Sequence, residues 1–228
     1  RTVSSAASDV YKRQPLLDSM EKDINVEIND FVEKKNIVSL FPGSRDSEIK
    51  ILFPVLINFI KKMNLKDNSY HYIFHSTQKF KEMIKSKLLA EKLSNVEVVS
   101  DDKIKSQVLK KSIFAIVKSG TVSLDVCKNN VPSMIIYKMN FFNYHLAKFL
   151  LKIKYVNMIN IINNKEIIPE LLQNECNPNE IYKTFYYFMK KPNLIKEQMS
   201  VVKNTIDDLK SSTSASDQAS KVILSYLT

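Results

Sequence analysis

Residues 37–45, Ile-Val-Ser-Leu-Phe-Pro-Gly-Ser-Arg, decide the fold class of this chain of 228 residues. A short β-branched and aromatic run comes first, and a glycine turn follows it. Apolar residues then recur at three- and four-residue spacing from Ile49 to Met63, which is the pattern of a helix with one buried face. A strand, a tight turn and an amphipathic helix open a βαβ unit, so this stretch predicts an α/β domain with a parallel sheet.

The same alternation of short apolar runs and amphipathic stretches continues along the chain. After the first strand at 37–41, the pattern predicts strands at 70–75, 96–100, 113–118 and 134–137. It predicts helices at 78–93, 104–111, 122–128 and 142–153, and a mostly helical chain beyond residue 166.

The chain contains only two glycines, Gly43 and Gly120, and each opens a short polar turn after a predicted strand. Glycine permits backbone conformations and close approaches that other residues do not. Both turns offer hydroxyls and amides at a predicted helix start, where an anionic phosphate is favoured. In an open parallel sheet, ligands bind beyond the carboxyl ends of the strands, where strand order reverses. The turns therefore predict one nucleotide or phosphate site, with two ordinary tight turns as the alternative.

The glycine spacing argues against several familiar motifs. A dinucleotide fingerprint needs three closely spaced glycines, and a P-loop needs a pair of nearby glycines followed by lysine. The two glycines here lie 77 residues apart. A nucleophile elbow needs glycine on both sides of its serine, which Ser44 and Ser119 lack, so serine hydrolase chemistry of that type is disfavoured.

The histidines do not predict a metal site. On a strand, His71 and His75 lie about 13 Å apart at roughly 3.3 Å per residue, which is too far to share one ion. We expect both to be packed or hydrogen-bonded, and His145, on a predicted helix, to lie at an interface. Neither a metal nor a cofactor is expected.

Lysine and arginine outnumber aspartate and glutamate by 34 to 24, which gives a net charge of +10. Such an excess suits nucleic acids, anionic membranes or phosphorylated substrates, but the lysines are spread throughout, and a biased overall composition is the stronger explanation.

Cys127 and Cys176 are too few for a disulfide framework, which suits a reducing cytoplasm. No run of about 18 uncharged apolar residues exists, so no membrane-spanning helix is predicted.

Several polar side chains near the turns are candidates for ligand contacts. The Arg45 guanidinium is a rigid fork of donors that matches phosphate oxygens, with a solvated surface arginine as the alternative. Glu48 either orients Arg45 or is a plain helix-start charge. A third polar cluster spans residues 157–166 and continues into 167–173. Its amides and carboxylates suit sugar hydroxyls, and they suit helix capping equally well.

Six segments, taken in order, carry a resemblance to a known family. They are residues 15–19 (PLLDS), 40–49 (LFPGSRDSEI), 118–125 (KSGTVSLD), 132–138 (PSMIIYK), 144–156 (YHLAKFLLKIKYV), and Asn160 with 166–173 (EIIPELLQ). Together they resemble the lipid-A-disaccharide synthases, inverting glycosyltransferases of the two-domain GT-B fold. The second and third segments are similar to that family's Leu-Leu-Pro-Gly-Ser-Arg-x-x-Glu-Ile and Ser-Gly-Thr-Ala-Thr-Leu-Glu.

The resemblance implies that residues 15–228 form the nucleotide-sugar-binding C-terminal domain of such an enzyme. That domain has a Rossmann-like parallel sheet flanked by helices and a helical C-terminal extension. Residues 1–14, RTVSSAASDVYKRQ, lack helix periodicity and a signal pattern, and we expect them to be a non-native leader from sequencing read-through. The family's acidic general base and acceptor site belong to the N-terminal half, so we expect this chain alone to be inactive.

The implied reaction transfers 2,3-diacylglucosamine from its UDP conjugate onto 2,3-diacylglucosamine 1-phosphate and releases UDP. The resemblance gives Arg45 and Asn160 the role of stabilising the leaving group, an electrostatic role that needs no metal. It implies the following substrate-binding residues: Gly43, Ser44, Arg45, Glu48, Ser119, Gly120, Thr121, Asp125, Tyr137, Asn160, Glu170 and Gln173.

The chain departs from the family pattern at three positions. Asp125 stands where the family has glutamate, so its side chain is one methylene shorter, and Ile159 replaces proline. Asn164 replaces glycine. Because asparagine tolerates left-handed backbone better than most residues, we expect that conformation at Asn164.

The acylated substrates imply a cytoplasmic protein at the inner membrane of a Gram-negative bacterium. Residues 142–155, with Lys148, Lys152 and Lys154, are the candidate membrane contact, and core packing of the same segment is an equal alternative. A homo-oligomer is left open. Two other functions are considered: a related UDP-sugar enzyme such as a 2-epimerase, and a basic nucleic-acid-binding module. The second is disfavoured, because the lysines are spread over all faces.

Overall fold

The computed structural model of the chain describes residues 35–139 and 154–211. The leader at 1–14, the PLLDS segment at 15–19 and the predicted helix at 142–153 lie outside the described residues, as does His145. The proposed membrane contact at 142–155 lies almost wholly outside them. Predictions about these segments stay predictions.

Strands and helices alternate through the described residues, as the periodicity predicted. The strands are β1 (Ile37–Phe41), β2 (His71–His75), β3 (Val96–Val99), β4 (Ser112–Lys118), β5 (Ser133–Tyr137) and β6 (Glu170–Leu172). The helices are α1 (Asp46–Asn64), α2 (Gln78–Ala90), α3 (Asp102–Lys111), α4 (Val122–Lys128), α5 (Met158–Asn163), α6 (Pro178–Lys190) and α7 (Pro192–Ser211).

All six strands form one parallel sheet in the order β3-β2-β1-β4-β5-β6. The chain builds the sheet outward from β1 to β3, and then crosses back to place β4 on the other side of β1. Strand order therefore reverses between β1 and β4, the two strands that end in the glycine turns. The predicted convergence of the turns at a reversal point is confirmed.

Helices cover both faces of the sheet. On one face, β1 contributes Val38 and Leu40 to a core that also contains the buried sides of α1, α2 and α6. On the other face, Phe41 packs with apolar residues of α3, α4, α5 and α7. Successive side chains of a strand point to opposite faces, so one apolar strand supplies both cores.

The region beyond residue 166 contains a strand that the sequence pattern did not predict. Ile135 of β5 lies opposite Glu170 in parallel register, and the Ile135 amide donates to the Pro169 carbonyl at 2.8 Å. The prediction of a mostly helical chain from this point was wrong for β6, because a three-residue strand is too short to show a period of its own. The helices α6 and α7 follow it, as predicted.

Two predicted helix boundaries also move. Helix α3 begins at Asp102 rather than residue 104, because the Asp101 carboxylate caps it by accepting from the amides of Lys103 and Ile104. Helix α2 ends at Ala90 rather than residue 93, and Lys92 adopts left-handed backbone with φ of 53°. Helix ends depend on such local caps, which periodicity does not report.

Helix α5 has a capped start and a left-handed end. The Asn157 side chain accepts from the Ile159 amide at 2.9 Å, and Asn164 follows the helix with φ of 46° and ψ of 32°. The left-handed backbone predicted for Asn164 is confirmed. Asparagine here takes the position at which a helix commonly ends in glycine.

Within residues 35–139 and 154–211, no helix has both the length and the apolar character needed to cross a membrane.

Candidate functional site

A cavity of about 800 Å³ opens at the carboxyl edge of the sheet, between the two glycine turns. Its walls come from the ends of β1, β2 and β4 and from helices α3 and α4. Of the predicted binding residues, those that line it are Gly43, Ser44, Glu48, Ser119, Gly120, Thr121 and Asp125. The remaining predicted residues, Arg45, Tyr137, Asn160, Glu170 and Gln173, are absent from its lining.

The first glycine turn wraps around the carboxylate of Glu48. Glu48 Oε2 accepts from the amides of Ser44 at 3.0 Å and Arg45 at 3.3 Å. Gly43 has a φ of 107°, and a Cβ placed on it would lie 2.5 Å from Glu48 Oε2. Glycine is therefore required at this position both by the backbone conformation and by the close approach of the carboxylate.

Arg45 lies outside the cavity. Its side chain is 78% exposed, and Nη1 lies 3.7 Å from Glu48 Oε1. Glu48 lies at the start of α1, where its carboxylate accepts from the Arg45 backbone amide and also lies beside the Arg45 guanidinium. The backbone amides of Ser44 and Arg45 lie closer to the Glu48 carboxylate than the Arg45 guanidinium does.

Lys118, the last residue of β4, joins the two turns. Its Nζ lies 3.0 Å from Glu48 Oε1, and the two side chains are only 18% and 14% exposed. The same ammonium lies 5.5 Å from the centre of the Tyr137 ring. Tyr137 therefore lies behind Lys118 rather than in the cavity wall.

Burial raises the pKa of the Glu48 carboxyl, but hydrogen bonds from Lys118 and Ser44 lower it more. The net pKa is below its ordinary value, so Glu48 is ionised at neutral pH.

The second glycine turn is fixed by its own serines. The Ser119 amide donates to the Ile136 carbonyl at 3.2 Å, and Ser123 Oγ donates to the Gly120 carbonyl at 2.7 Å. Ser119 Oγ also donates to the Val156 carbonyl at 3.2 Å, which ties the turn to the segment before α5.

Asn160 is fully buried, and its amide is saturated within the protein. Its Oδ1 accepts from the amides of Ile167 and Ile168, at 2.8 and 2.9 Å. Its Nδ2 donates to the Ile168 carbonyl and to Glu170 Oε1, at 2.7 and 2.8 Å. An asparagine side chain has two donor and two acceptor positions, so none is left for a ligand in this arrangement.

Glu170 completes this network and is connected to the cavity lining only through other residues. It accepts from the Val156 and Asn157 amides at 2.9 Å each. Val156 in turn receives the Ser119 hydroxyl. Asn160 and Glu170 are therefore linked to the second turn through Val156, in an arrangement that supports the turn.

Gln173 follows β6 with left-handed backbone, at φ of 50°. Its amide N–H donates to the Tyr137 carbonyl at 2.8 Å. With its side-chain nitrogen turned toward the Met139 carbonyl, the Gln173 amide makes two hydrogen bonds to Met139, both at 3.3 Å. Gln173 thus lies where the chain leaves β5.

A hydroxyl chain beneath the cavity fixes the tautomer of His75. Ser112 Oγ donates to the Val108 carbonyl at 2.9 Å, so it must accept from Ser39 Oγ, 2.7 Å away. Ser39 must then accept from His75 Nε2, 2.8 Å away, which leaves Nδ1 unprotonated. Burial, with a smaller effect from Lys105, lowers the pKa of His75 to about 3, so the ring is neutral.

The cavity is lined by several side chains that sequence reasoning left unassigned. Among the described residues, four lysines line it: Lys105, Lys110, Lys118 and Lys128. Lys118 directly precedes the Ser119-Gly120 turn, and this adjacency was an available signal. The α3 lysines could have been found from topology, since α3 follows β3 and returns to β4 beside the reversal point.

The arrangement suits binding of an anion more than covalent chemistry. Burial raises the pKa of the Cys127 thiol to about 12 and that of Cys176 to about 11, so neither is a reactive thiolate. Four lysines against the carboxyl groups of Glu48, Asp102 and Asp125 give the lining a cationic balance. A negatively charged ligand with hydroxyl groups fits these walls.

A family model and individual related sequences point to the same family. A family model described as lipid-A-disaccharide synthetase matches residues 10–223. The lipid-A-disaccharide synthase of Persephonella marina is 31% identical over 204 residues, which cover 89% of this chain and 52% of that protein. The chain thus spans about half the length of the curated relatives it matches.

Solved structures share the fold. The C-terminal domain of a glycosyl transferase group 1 family protein from Francisella tularensis aligns with a TM-score of 0.54 at 10% identity, covering 79% of this chain and 88% of that one. A UDP-N-acetylglucosamine 2-epimerase aligns at 0.50 and 10% identity, covering 75% and 39%. At such identities the likeness shows the fold alone. It is the Rossmann-like C-terminal domain of the GT-B architecture, as the sequence predicted.

Proposed function

The chain belongs to the lipid-A-disaccharide synthetase family, and from this membership we propose that it is the nucleotide-sugar-binding part of an enzyme of lipid A disaccharide synthesis. The observation that carries the proposal is the cavity at the strand-order reversal, because the family's two glycine motifs both line it. Its volume of about 800 Å³ is in the range of small-molecule sites.

In the proposed reaction, UDP-2,3-diacylglucosamine is the donor and 2,3-diacylglucosamine 1-phosphate is the acceptor. The acceptor 6-hydroxyl attacks the anomeric carbon, the bond from that carbon to the diphosphate oxygen breaks, and its electron pair leaves with UDP. The hydroxyl proton passes to an acidic general base, which the family resemblance assigns to the N-terminal half. This chain would contribute the stabilisation of the departing UDP.

We assign the diphosphate to the cavity at the two glycine turns, among the amides around Gly43, Gly120 and Thr121. Asp125 is proposed to accept hydrogen bonds from sugar hydroxyls, which its carboxylate suits. Arg45 remains a leaving-group candidate, since its exposed side chain stands beside the turn and can swing over the cavity mouth. Asn160 is proposed to act through the second turn that its network supports, rather than by direct contact.

The main alternative is another UDP-sugar enzyme, such as a 2-epimerase, which the fold likeness favours. Against it stand the Tyr137-Lys138 pair and the segment from Glu170 to Gln173. These belong to the synthase pattern and are present here.

We also propose peripheral contact with the cytoplasmic face of the inner membrane. Both substrates carry acyl chains, which hold them in the bilayer while their sugars face the water. An enzyme acting on such sugars gains from lying at that surface.

Calorimetric titration of the chain with UDP tests the proposed function. We expect UDP to bind, and ADP to bind at least about tenfold more weakly, because a nucleotide-sugar site contacts the base as well as the phosphates. Replacing Arg45 with alanine should weaken UDP binding by about threefold to tenfold. No sugar transfer is expected from the chain alone.

The matched control is Lys183→Met, which removes a cation whose partner is Glu180 on α6. Its UDP affinity should equal that of the unaltered chain. Absence of UDP binding would remove the proposal. Equal affinity for UDP and ADP would instead indicate a general anion site, as expected of a basic nucleic-acid-binding module.

A further inference from the structure

The two glycine turns differ in what already occupies them. The concave side of the first turn holds the Glu48 carboxylate, which accepts from the amides of Ser44 and Arg45. A Cβ on Gly43 would collide with that carboxylate at 2.5 Å. A Cβ on Gly120 would meet only the Lys118 ammonium, at 3.6 Å. One turn is thus filled by an anion, and the other lies against a cation.

This difference decides where a diphosphate can bind. Backbone amides of a turn attract phosphate when they are unpaired, but those of the first turn are already satisfied by an internal carboxylate. A phosphate at the same place would lie within a few ångströms of Glu48. Like charges that close repel strongly where water is partly excluded, and Glu48 is only 14% exposed.

The second turn has the opposite electrostatics. An ammonium carries three N–H donors, and Glu48 accepts one of those of Lys118. The ammonium lines the cavity and lies beside Gly120, so its remaining donors are close to any oxygen that enters there. Glu48 and the Tyr137 ring hold it in place from two sides.

We propose that Lys118 binds the ligand's diphosphate at the second glycine turn, and that Glu48 is a positioning residue that fills the first turn and orients Lys118. This inference rests on the proposed function, because it takes the diphosphate of a UDP-sugar as the ligand. It assigns the phosphates to one turn instead of both, and it adds Lys118 to the binding residues.

The scarcity of glycine makes a direct test available. A chain labelled with ¹⁵N-glycine should give two backbone amide signals, from Gly43 and Gly120, and a Gly120→Ala variant assigns them by the signal it loses. Titration with UDP, and separately with inorganic pyrophosphate, should shift the Gly120 signal saturably and move the Gly43 signal far less. Equal shifts, or a larger one at Gly43, would overturn the assignment.

Substitution of lysines tests the same point by affinity. Lys118→Met should weaken UDP and pyrophosphate binding by at least about tenfold, and Lys118→Arg should retain most of it. Lys128→Met removes another cavity lysine and should have a smaller effect, of about threefold, through long-range charge alone. Equal losses of affinity in Lys118→Met and Lys128→Met would show that the ligand responds only to the overall positive charge of the cavity. That result would refute a specific role for Lys118.

Glu48→Gln tests the positioning role. In this variant the amides of the first turn no longer contact a carboxylate, so pyrophosphate should now shift the Gly43 signal too. A Gly43 signal that does not shift would contradict the role of Glu48. The results that would refute the proposed function and this inference are different. If the unaltered chain does not bind UDP, the proposed function is refuted. A chain that binds UDP equally well with Lys118→Met removes only this inference.

Discussion

His75 is a buried base in the lining of the cavity, and its ring makes the stability of the domain depend on pH. The folded state holds the ring neutral, because burial lowers the pKa of His75 to about 3. In the unfolded chain a histidine has its ordinary pKa of about 6.5. Below that value the histidine binds a proton in the unfolded chain but not in the folded domain. The free energy of unfolding therefore falls as pH falls.

Between pH 7 and pH 5, the free energy of unfolding should therefore drop by about 2 kcal/mol through this histidine. His75→Gln keeps an N–H that can donate to Ser39 and removes the titration. Denaturant unfolding at both pH values should show a much smaller drop in this variant. Equal drops in the two proteins would mean that His75 is protonated in the folded state.

Single residues also show the limit of motif reasoning. The motif around Asn160 predicted a contact with the ligand, and the structure gives it four internal hydrogen bonds. Sequence order cannot tell a buried amide from one that faces a cavity, because both are polar residues in a polar segment. The Asn160 amide is instead enclosed by partners 7 to 10 positions further along the chain, Ile167, Ile168 and Glu170.

At the scale of the element, helix α5 depends on a left-handed asparagine. Asn164 ends the helix with φ of 46°, a conformation that carries a steric penalty for side chains with a Cβ. Asn164→Ala should lower the free energy of unfolding by about 1 kcal/mol, and Asn164→Gly should leave it unchanged or raise it slightly.

Ile161→Ala is the control for this pair, since Ile161 lies within α5, is right-handed in backbone and is 53% exposed. It should change stability by no more than about 0.5 kcal/mol. Denaturant unfolding measures all three variants. A stability loss in Asn164→Gly comparable to that in Asn164→Ala would show that the asparagine side chain, and not its backbone conformation, matters.

At the scale of the whole molecule, the alternation of strands and helices was predictable because each element is long enough to display its own period. Strand β6 was not, since its three residues are defined only by pairing with β5. The meeting of the two glycine turns followed from a general rule about parallel sheets. The charge pattern inside the cavity did not follow, because the contact between Lys118 and Glu48 joins residues 70 positions apart.

The sheet order predicts how the molecule opens. Strands β1 and β4 are separated by β2 and β3 in the chain, yet they are neighbours at the centre of the sheet. Each is paired on both sides and covered on both faces, so its amides should exchange hydrogen only when the whole domain unfolds. Among the strands that the structure describes, β3 and β6 lie at the edges with one paired neighbour each, so they can detach alone.

Native-state hydrogen exchange should therefore rank the strands by position in the sheet and not by position in the chain. The amides of β1 and β4 should exchange slowest and at similar rates, with those of β3 and β6 at least about tenfold faster. If β4 exchanged with β6, or if β3 were as protected as β1, the sheet would not be opening from its edges. Similar slow rates in β1 and β4 would mean that the strands carrying both glycine turns unfold as one unit, so that the cavity between them lasts as long as the folded domain.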